Sequence, residues 1–197
     1  MTSFWWIRHA PVVGNDNRCY GNNEVKCDVS DLNSFKTLYT KLPKNSIVYT
    51  SSLERTIKTF NALRDIGYKY KHHVIDKRLC EQNLGDYTGM KYKELYNLTK
   101  KLNIVDENWL FKSNHIPPNG ESFTQLRSKI KSFIKDTLFK KNNNNIIVFS
   151  HGGPIRAALA IALNYKNNII PPVLIDNSKL TRLDYKNKKW QVRCINS

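Results

Sequence analysis

The order of patterned segments predicts an α/β protein, a three-layer α/β/α sandwich on a mostly parallel central sheet. Three observations carry this expectation. The short apolar run Ser3-Phe4-Trp5-Trp6-Ile7 delivers Arg8-His9 and then breaks at Ala10-Pro11. Much later, Ile146-Ile147-Val148-Phe149 runs into Ser150-His151-Gly152-Gly153-Pro154. Between them, strand-like and helix-like segments follow one another in turn. Two buried-looking strands that each end in a histidine at a turn place His9 and His151 together, because ligands in open α/β sheets bind outside the carboxyl ends of the strands.

The elements follow in order. Residues 3–8 read as a buried strand, and residues 11–29 as a long loop holding Gly14 and Gly21. Ser30 is placed to cap a helix over 31–42, with Leu32, Phe35, Leu38, Tyr39 and Leu42 at helical spacing. Pro43 and Asn45 end it. Residues 46–50 form a second strand. Ser51 or Ser52 caps a helix reaching residue 66 through Leu53, Ile57, Phe60, Ala62 and Leu63, closed by Gly67. Residues 68–76 alternate weakly and read as a third strand, and 81–89 read as a polar loop. Short helices are expected over 92–102 and 105–111, an interruption at Pro117-Pro118, and a long helix from Gly120-Glu121-Ser122 to about residue 139. The strand 146–149, a helix over 153–163 and a hairpin turning near Asn187 complete the chain. Trp5 and Trp6 alternate, so one faces each side of the sheet.

At 197 residues the chain suits one full-sized core, with no repeat and no linker. It is therefore expected to be a single domain over 1–197, with residues 90–122 capping the site. No stretch reaches the roughly 18 apolar residues that cross a bilayer, and residues 1–7 lack the basic segment of a secretory signal. No membrane association and a cytoplasmic setting are expected. Cys19, Cys27, Cys80 and Cys194 show no metal-like spacing and read as free thiols. The net charge of +16 comes from lysines spread along the chain, not from one block. That favours a field attracting phosphorylated small molecules over a nucleic-acid surface.

Five features fall at strand ends or turns: Arg8-His9, the Ser51 to Thr56 segment with Arg55, the Glu81 to Gly89 loop, His151-Gly152-Gly153, and Asn177-Ser178. A parallel sheet gathers them on one rim, which suits phosphoryl transfer. Arginine forks match phosphate oxygens, and a histidine can attack phosphorus. A helix opening on glycines favours an anion. A carboxylate can protonate the leaving alkoxide. Arginine and histidine supply the positive charge that magnesium supplies elsewhere, so neither a metal nor another cofactor is expected. His72, His73 and His115 lie outside these motifs and read as surface or packing residues.

In this order, Arg8-His9-Ala10, Ser51-Ser52-Leu53-x-Arg55, Glu81-x-x-x-Gly85-x-x-x-Gly89, Gly120-Glu121-Ser122 and Ser150-His151-Gly152-Gly153 resemble the histidine phosphatase superfamily, also called phosphoglycerate mutase-like. The resemblance covers nearly the whole chain. The run Arg18-Cys19-Tyr20-Gly21 is most similar to the small-phosphatase branch that includes α-ribazole phosphatases. The resemblance implies that His9 is the nucleophile that becomes phosphohistidine. It implies that Arg8, Arg55 and His151 hold the phosphoryl oxygens, and that Glu81 is acid and then base. Asn15 would contact the phosphate, and Gly152 would offer a backbone N–H. Tyr20 and Gly21 would line the pocket. The chain departs from many relatives at Ala10-Pro11-Val12 and at Thr56, where alanine is common.

The expected activity is a metal-independent phosphomonoesterase acting on a small phosphorylated metabolite, α-ribazole phosphate among the options. Phosphoglycerate mutase-type transfer is the alternative inside the fold, disfavoured by the compact chain. A basic, non-catalytic binding protein is the alternative outside it. Oligomeric state is left open.

Overall fold

The computed structural model describes residues 1–105, 111–140 and 144–197. Its strands are β1 (Thr2–Arg8), β2 (Ser46–Thr50), β3 (Tyr70–Ile75), β4 (Asn145–Ser150), β5 (Leu180–Lys186) and β6 (Lys189–Cys194). They form one sheet in the order β3-β2-β4-β1-β5-β6. The first four are mutually parallel; β5 runs antiparallel to β1, and β6 to β5. Central β1 and β4 are buried along almost their whole length, which explains their unbroken apolar runs. Edge strands β3 and β6 keep much of their length exposed, which accounts for the weak pattern of residues 68–76.

Helices cover both faces. Phe35 and Leu38 of α1 (Leu32–Lys41) and Phe60 and Leu63 of α2 (Glu54–Asp65) pack on Trp5 and Ile7. On the other face, α4 (Phe123–Phe139) and α5 (Gly152–Ala162) pack Leu126, Phe133 and Ile155 on Phe4 and Trp6. The two tryptophans do face opposite layers. A smaller cluster of Cys19, Tyr87 and Leu95, flanked by Leu84, Leu98 and Phe111, ties the long loop to α3 (Tyr92–Lys101).

Two helix starts differ from expectation. The cap of α1 is Asp31, whose carboxylate accepts the Ser34 N–H at 3.2 Å; Ser30 lies one residue too early. Neither Ser51 nor Ser52 caps α2. Leu53 occupies that position, and the Glu24 carboxylate takes the first free N–H, from Glu54, at 3.1 and 3.2 Å. Of the helix expected over 105–111, residues 106–110 lie outside the described residues, while Val105 and Phe111 form an antiparallel bridge. The long helix and the hairpin form as expected, the latter turning through Asn187 and Lys188, both at positive φ. Among the described residues, no helix is long and apolar enough to cross a membrane.

Candidate active site

The register of β1 on β4 builds the centre of the site. Arg8 pairs with Ser150, and the His9 N–H donates to the Ser150 carbonyl at 3.0 Å. The residue after each pairing position is a histidine, so the His9 and His151 rings meet with centroids 5.1 Å apart. Both are fully buried. Asn177 braces this corner by donating to the His9 carbonyl at 2.8 Å.

His9 is oriented by its own turn. Its Nδ1–H donates to the Ala10 carbonyl at 2.7 Å, and Nε2 has no hydrogen-bond partner among the described residues. Burial pushes its pKa down to about 3, aided by the nearby charges of Arg55 and Arg8 and opposed by the Ala10 bond. The ring is therefore neutral near pH 7, with the Nε2 lone pair available.

His151 takes the opposite tautomer. The Arg55 Nε–H donates to its Nδ1 at 3.2 Å, so the proton sits on Nε2 and points at Ser51 Oγ, 2.8 Å away. Ser51 Oγ then donates to Thr56 Oγ1 at 2.9 Å, and Thr56 donates to the Leu53 carbonyl at 2.9 Å. Every proton in this buried chain has an acceptor. Burial, then the charge of Arg55, pushes the His151 pKa well below its ordinary value.

Arg55, in the first turn of α2, is fully buried. Its two terminal nitrogens donate to the carbonyls of Asn23 at 2.7 Å and Gly21 at 2.9 Å. Arg8 donates through Nη1 to the Ile175 carbonyl and more loosely through Nη2 to Tyr20 Oη at 3.4 Å; its Nε is buried without a partner. Among the described residues neither arginine has a carboxylate within ion-pair distance. Two guanidinium groups and two neutral imidazoles thus meet with no carboxylate in ion-pair contact, a setting that suits an anion.

Glu81 sits at the N-terminus of α5, where Oε1 accepts the Gly153 N–H at 3.1 Å and the Gln82 N–H at 3.0 Å. Arg8, Tyr20, Gly21, Glu81, Gly152 and Gly153 line a cavity of about 440 Å³, within the range of small-molecule sites. Its outer wall is apolar, from Leu84, Leu95, Phe111, Phe123, Ile170 and Leu174. Tyr20 presents its ring edge-on to His9, with centroids 6.3 Å apart. Asn15 is not brought to this wall; its side-chain amide donates to the Arg18 carbonyl within its own loop.

Over residues 4–197 the chain matches the histidine phosphatase superfamily (branch 1). It belongs to that superfamily. A relative from Hydrogenobacter thermophilus named "Putative phosphoserine phosphatase 2" is 26% identical, over 100% of this chain and 96% of its own length. Among solved structures, a mycobacterial glucosyl-3-phosphoglycerate phosphatase in complex with VO3 superposes with a TM-score of 0.83 at 19% identity, covering 100% of both chains. The α-ribazole phosphatase of Shigella flexneri gives 0.78 at 20% identity, over 100% of this chain and 96% of that one. This membership is consistent with a hydrolase of phosphate monoesters.

Sequence reasoning missed two parts of this histidine phosphatase site. Ser51 was read as a helix cap, and its bond to His151 across 100 residues has no local signal. Arg156, which lines the same cavity, lay inside an apolar helix. Its signal was available: it is the one charged residue of Gly152–Ala162.

Proposed function

We propose that the protein hydrolyses a small phosphate monoester, without a metal ion, through a phosphohistidine on His9. The observation that carries this reading is the unpartnered Nε2 of a neutral, fully buried His9 near the charges of two arginines that lack carboxylate partners.

In the first step the Nε2 lone pair attacks phosphorus and the ester P–O bond breaks. Arg8 and Arg55 balance the charge on the non-bridging oxygens. The leaving oxygen takes a proton from the Glu81 carboxyl group. In the second step the Glu81 carboxylate takes a proton from water, and the water oxygen attacks phosphorus. The N–P bond breaks, releasing inorganic phosphate and restoring neutral His9. The Nδ1–H bond to Ala10 fixes which nitrogen attacks and supports the positive charge that develops on the ring. Gly152, whose N–H opens α5, stands to add a donor to the phosphoryl group.

Tyr92, Leu95 and Phe111 line the cavity and stand to cap it, selecting the alcohol half of the ester. A cavity this size favours a small metabolite over a macromolecule, and free thiols suit a cytoplasmic setting. The names of relatives bring phosphoserine, glucosyl-3-phosphoglycerate and α-ribazole phosphate into consideration as substrate types.

The test is labelling by a 32P-phosphate donor followed by quenching. Parent protein acquires acid-labile, base-stable label and releases phosphate with a chelator present. His9→Ala does neither. Undiminished turnover by His9→Ala overturns the assignment.

A further inference from the structure

We propose that Arg156 binds a second anionic group on the substrate, a carboxylate, so that the preferred substrate is a phosphate monoester of a hydroxy acid. This rests on the phosphatase reading above and specifies the leaving-group half that the reading leaves open.

Arg156 projects from the second turn of α5 and lines the same cavity as Arg8, Glu81 and Gly152. Its Nε–H donates to the Val173 carbonyl at 2.8 Å. No hydrogen bond or ion pair engages Nη1 or Nη2 among the described residues. The guanidinium is therefore held at one edge, with its fork left for a ligand. The segment that holds it also holds Arg8: the Val173 carbonyl takes Arg156 and the Ile175 carbonyl takes Arg8. One stretch of backbone sets two guanidinium groups on one wall.

The surroundings of Gly152 show that Arg156 belongs to the same site. A Cβ built on Gly152 would stand 3.7 Å from Arg156 Nη1, 3.9 Å from Arg8 Nε and 3.9 Å from Glu81 Oε2. Gly152 leaves open the point where these three side chains converge. Arg8 serves the phosphoryl group and Glu81 protonates the departing oxygen. Arg156, beside them on the same cavity, is left to the part of the substrate attached to the ester oxygen. Two arginines already match the dianionic phosphoryl group, so a third adds charge that a neutral leaving group would not use. Burial lowers the pKa of Arg156 from its ordinary value, opposed by nearby Glu81 and aided by the charge of Arg8. It stays a cation, and partly desolvated cations gain most from charge-assisted, bidentate hydrogen bonds to a carboxylate.

The experiment compares O-phosphoserine with O-phosphoethanolamine, which differ by the carboxylate alone, in the parent, Arg156→Gln and Arg156→Lys. The parent should prefer O-phosphoserine by about 10- to 100-fold in kcat/KM, the range for a hydrogen bond to a charged group. In Arg156→Gln the preference should collapse towards unity, chiefly through KM; Arg156→Lys should restore part of it. A purely structural role would slow both esters and leave their ratio intact. No preference in the parent, or an undiminished one in Arg156→Gln, overturns the proposal. Absence of turnover on both esters and on p-nitrophenyl phosphate overturns the phosphatase reading instead. Calorimetric affinities of the two esters then decide Arg156 by the same ratio.

Discussion

Gly153→Ala separates the fold from the chemistry at one atom. A Cβ on Gly153 would collide with Glu81 Oε1, and would stand 3.1 Å from Leu126 Cδ2 and 3.4 Å from Glu81 Cδ. Alanine is a good helix former, and the collision falls on the free end of a side chain, so the helix tolerates the methyl. The carboxylate does not: it must withdraw by roughly 1 Å to regain van der Waals separation. It then loses the Gly153 N–H that holds it at 3.1 Å. A 1 Å misplacement costs about 100-fold, or ~2.7 kcal/mol of barrier, when the displaced group acts in the rate-limiting step. The loss should appear with alkyl esters, whose leaving oxygen needs a proton, and shrink with p-nitrophenyl phosphate, whose leaving group departs as an anion. The assay is kcat/KM for both substrates in the parent and Gly153→Ala, alongside urea unfolding. Retained stability with a selective loss on alkyl esters is the expected result. Equal losses on the two esters would refute Glu81 as the proton donor.

Three further outcomes follow from the buried polar groups. Neutral His9 and His151 have folded pKa values below their unfolded ones, so the unfolded chain takes up protons first as pH falls. Stability should drop below about pH 6.5 by ~1.4 kcal/mol per pH unit for each such imidazole, continuing to about pH 3 for His9. Urea midpoints between pH 6.5 and 5, where carboxylates titrate little, should show a shallower slope in His9→Gln; an identical slope counts against a neutral His9. Arg8 and Arg55 lack carboxylate partners, so inorganic phosphate should raise the melting temperature, with ~2.7 kcal/mol of stabilisation at 100 times its Kd. Matched sodium chloride should not reproduce this shift, and Arg55→Lys should reduce it. Ser51→Ala strips the His151 Nε2–H of its acceptor and should cost ~1–3 kcal/mol in equilibrium unfolding; an unchanged midpoint would discount the relay.

The parts of this molecule legible in the sequence are those where burial writes a pattern. β1 and β4 are covered on both faces, so their apolar runs are continuous and their terminal histidines stand out. The long helix α4 carries its own capping box, Ser122 with Gln125, beside its apolar stripe. Legibility fails where one polar group is claimed by a distant partner. Ser51 has the residue type and position of a cap, and nothing local shows that His151 and Thr56 use its hydroxyl instead. The Glu24 carboxylate performs the capping from 30 residues away. Asn15 has the right place in the order of motifs, yet its amide is engaged inside the loop.

The same core packing that fixes the sheet fixes the chemistry. Side chains alternate along a strand, so slipping β1 by one residue would send Trp6 to the face of α1 and α2 and Trp5 to that of α4 and α5. Trp6, fully buried with its ring 6.0 Å edge-on to Phe133, cannot make that exchange cheaply, and neither can Phe4. That resistance holds Arg8 against Ser150 and so holds His9 beside His151. A site that buries unpaired guanidinium groups opposes folding locally. It persists because two layers of aromatic and aliphatic packing on either side leave the central strands no other register. Substitutions that loosen the Trp6 layer should therefore reduce turnover through the His9–His151 spacing before they unfold the protein.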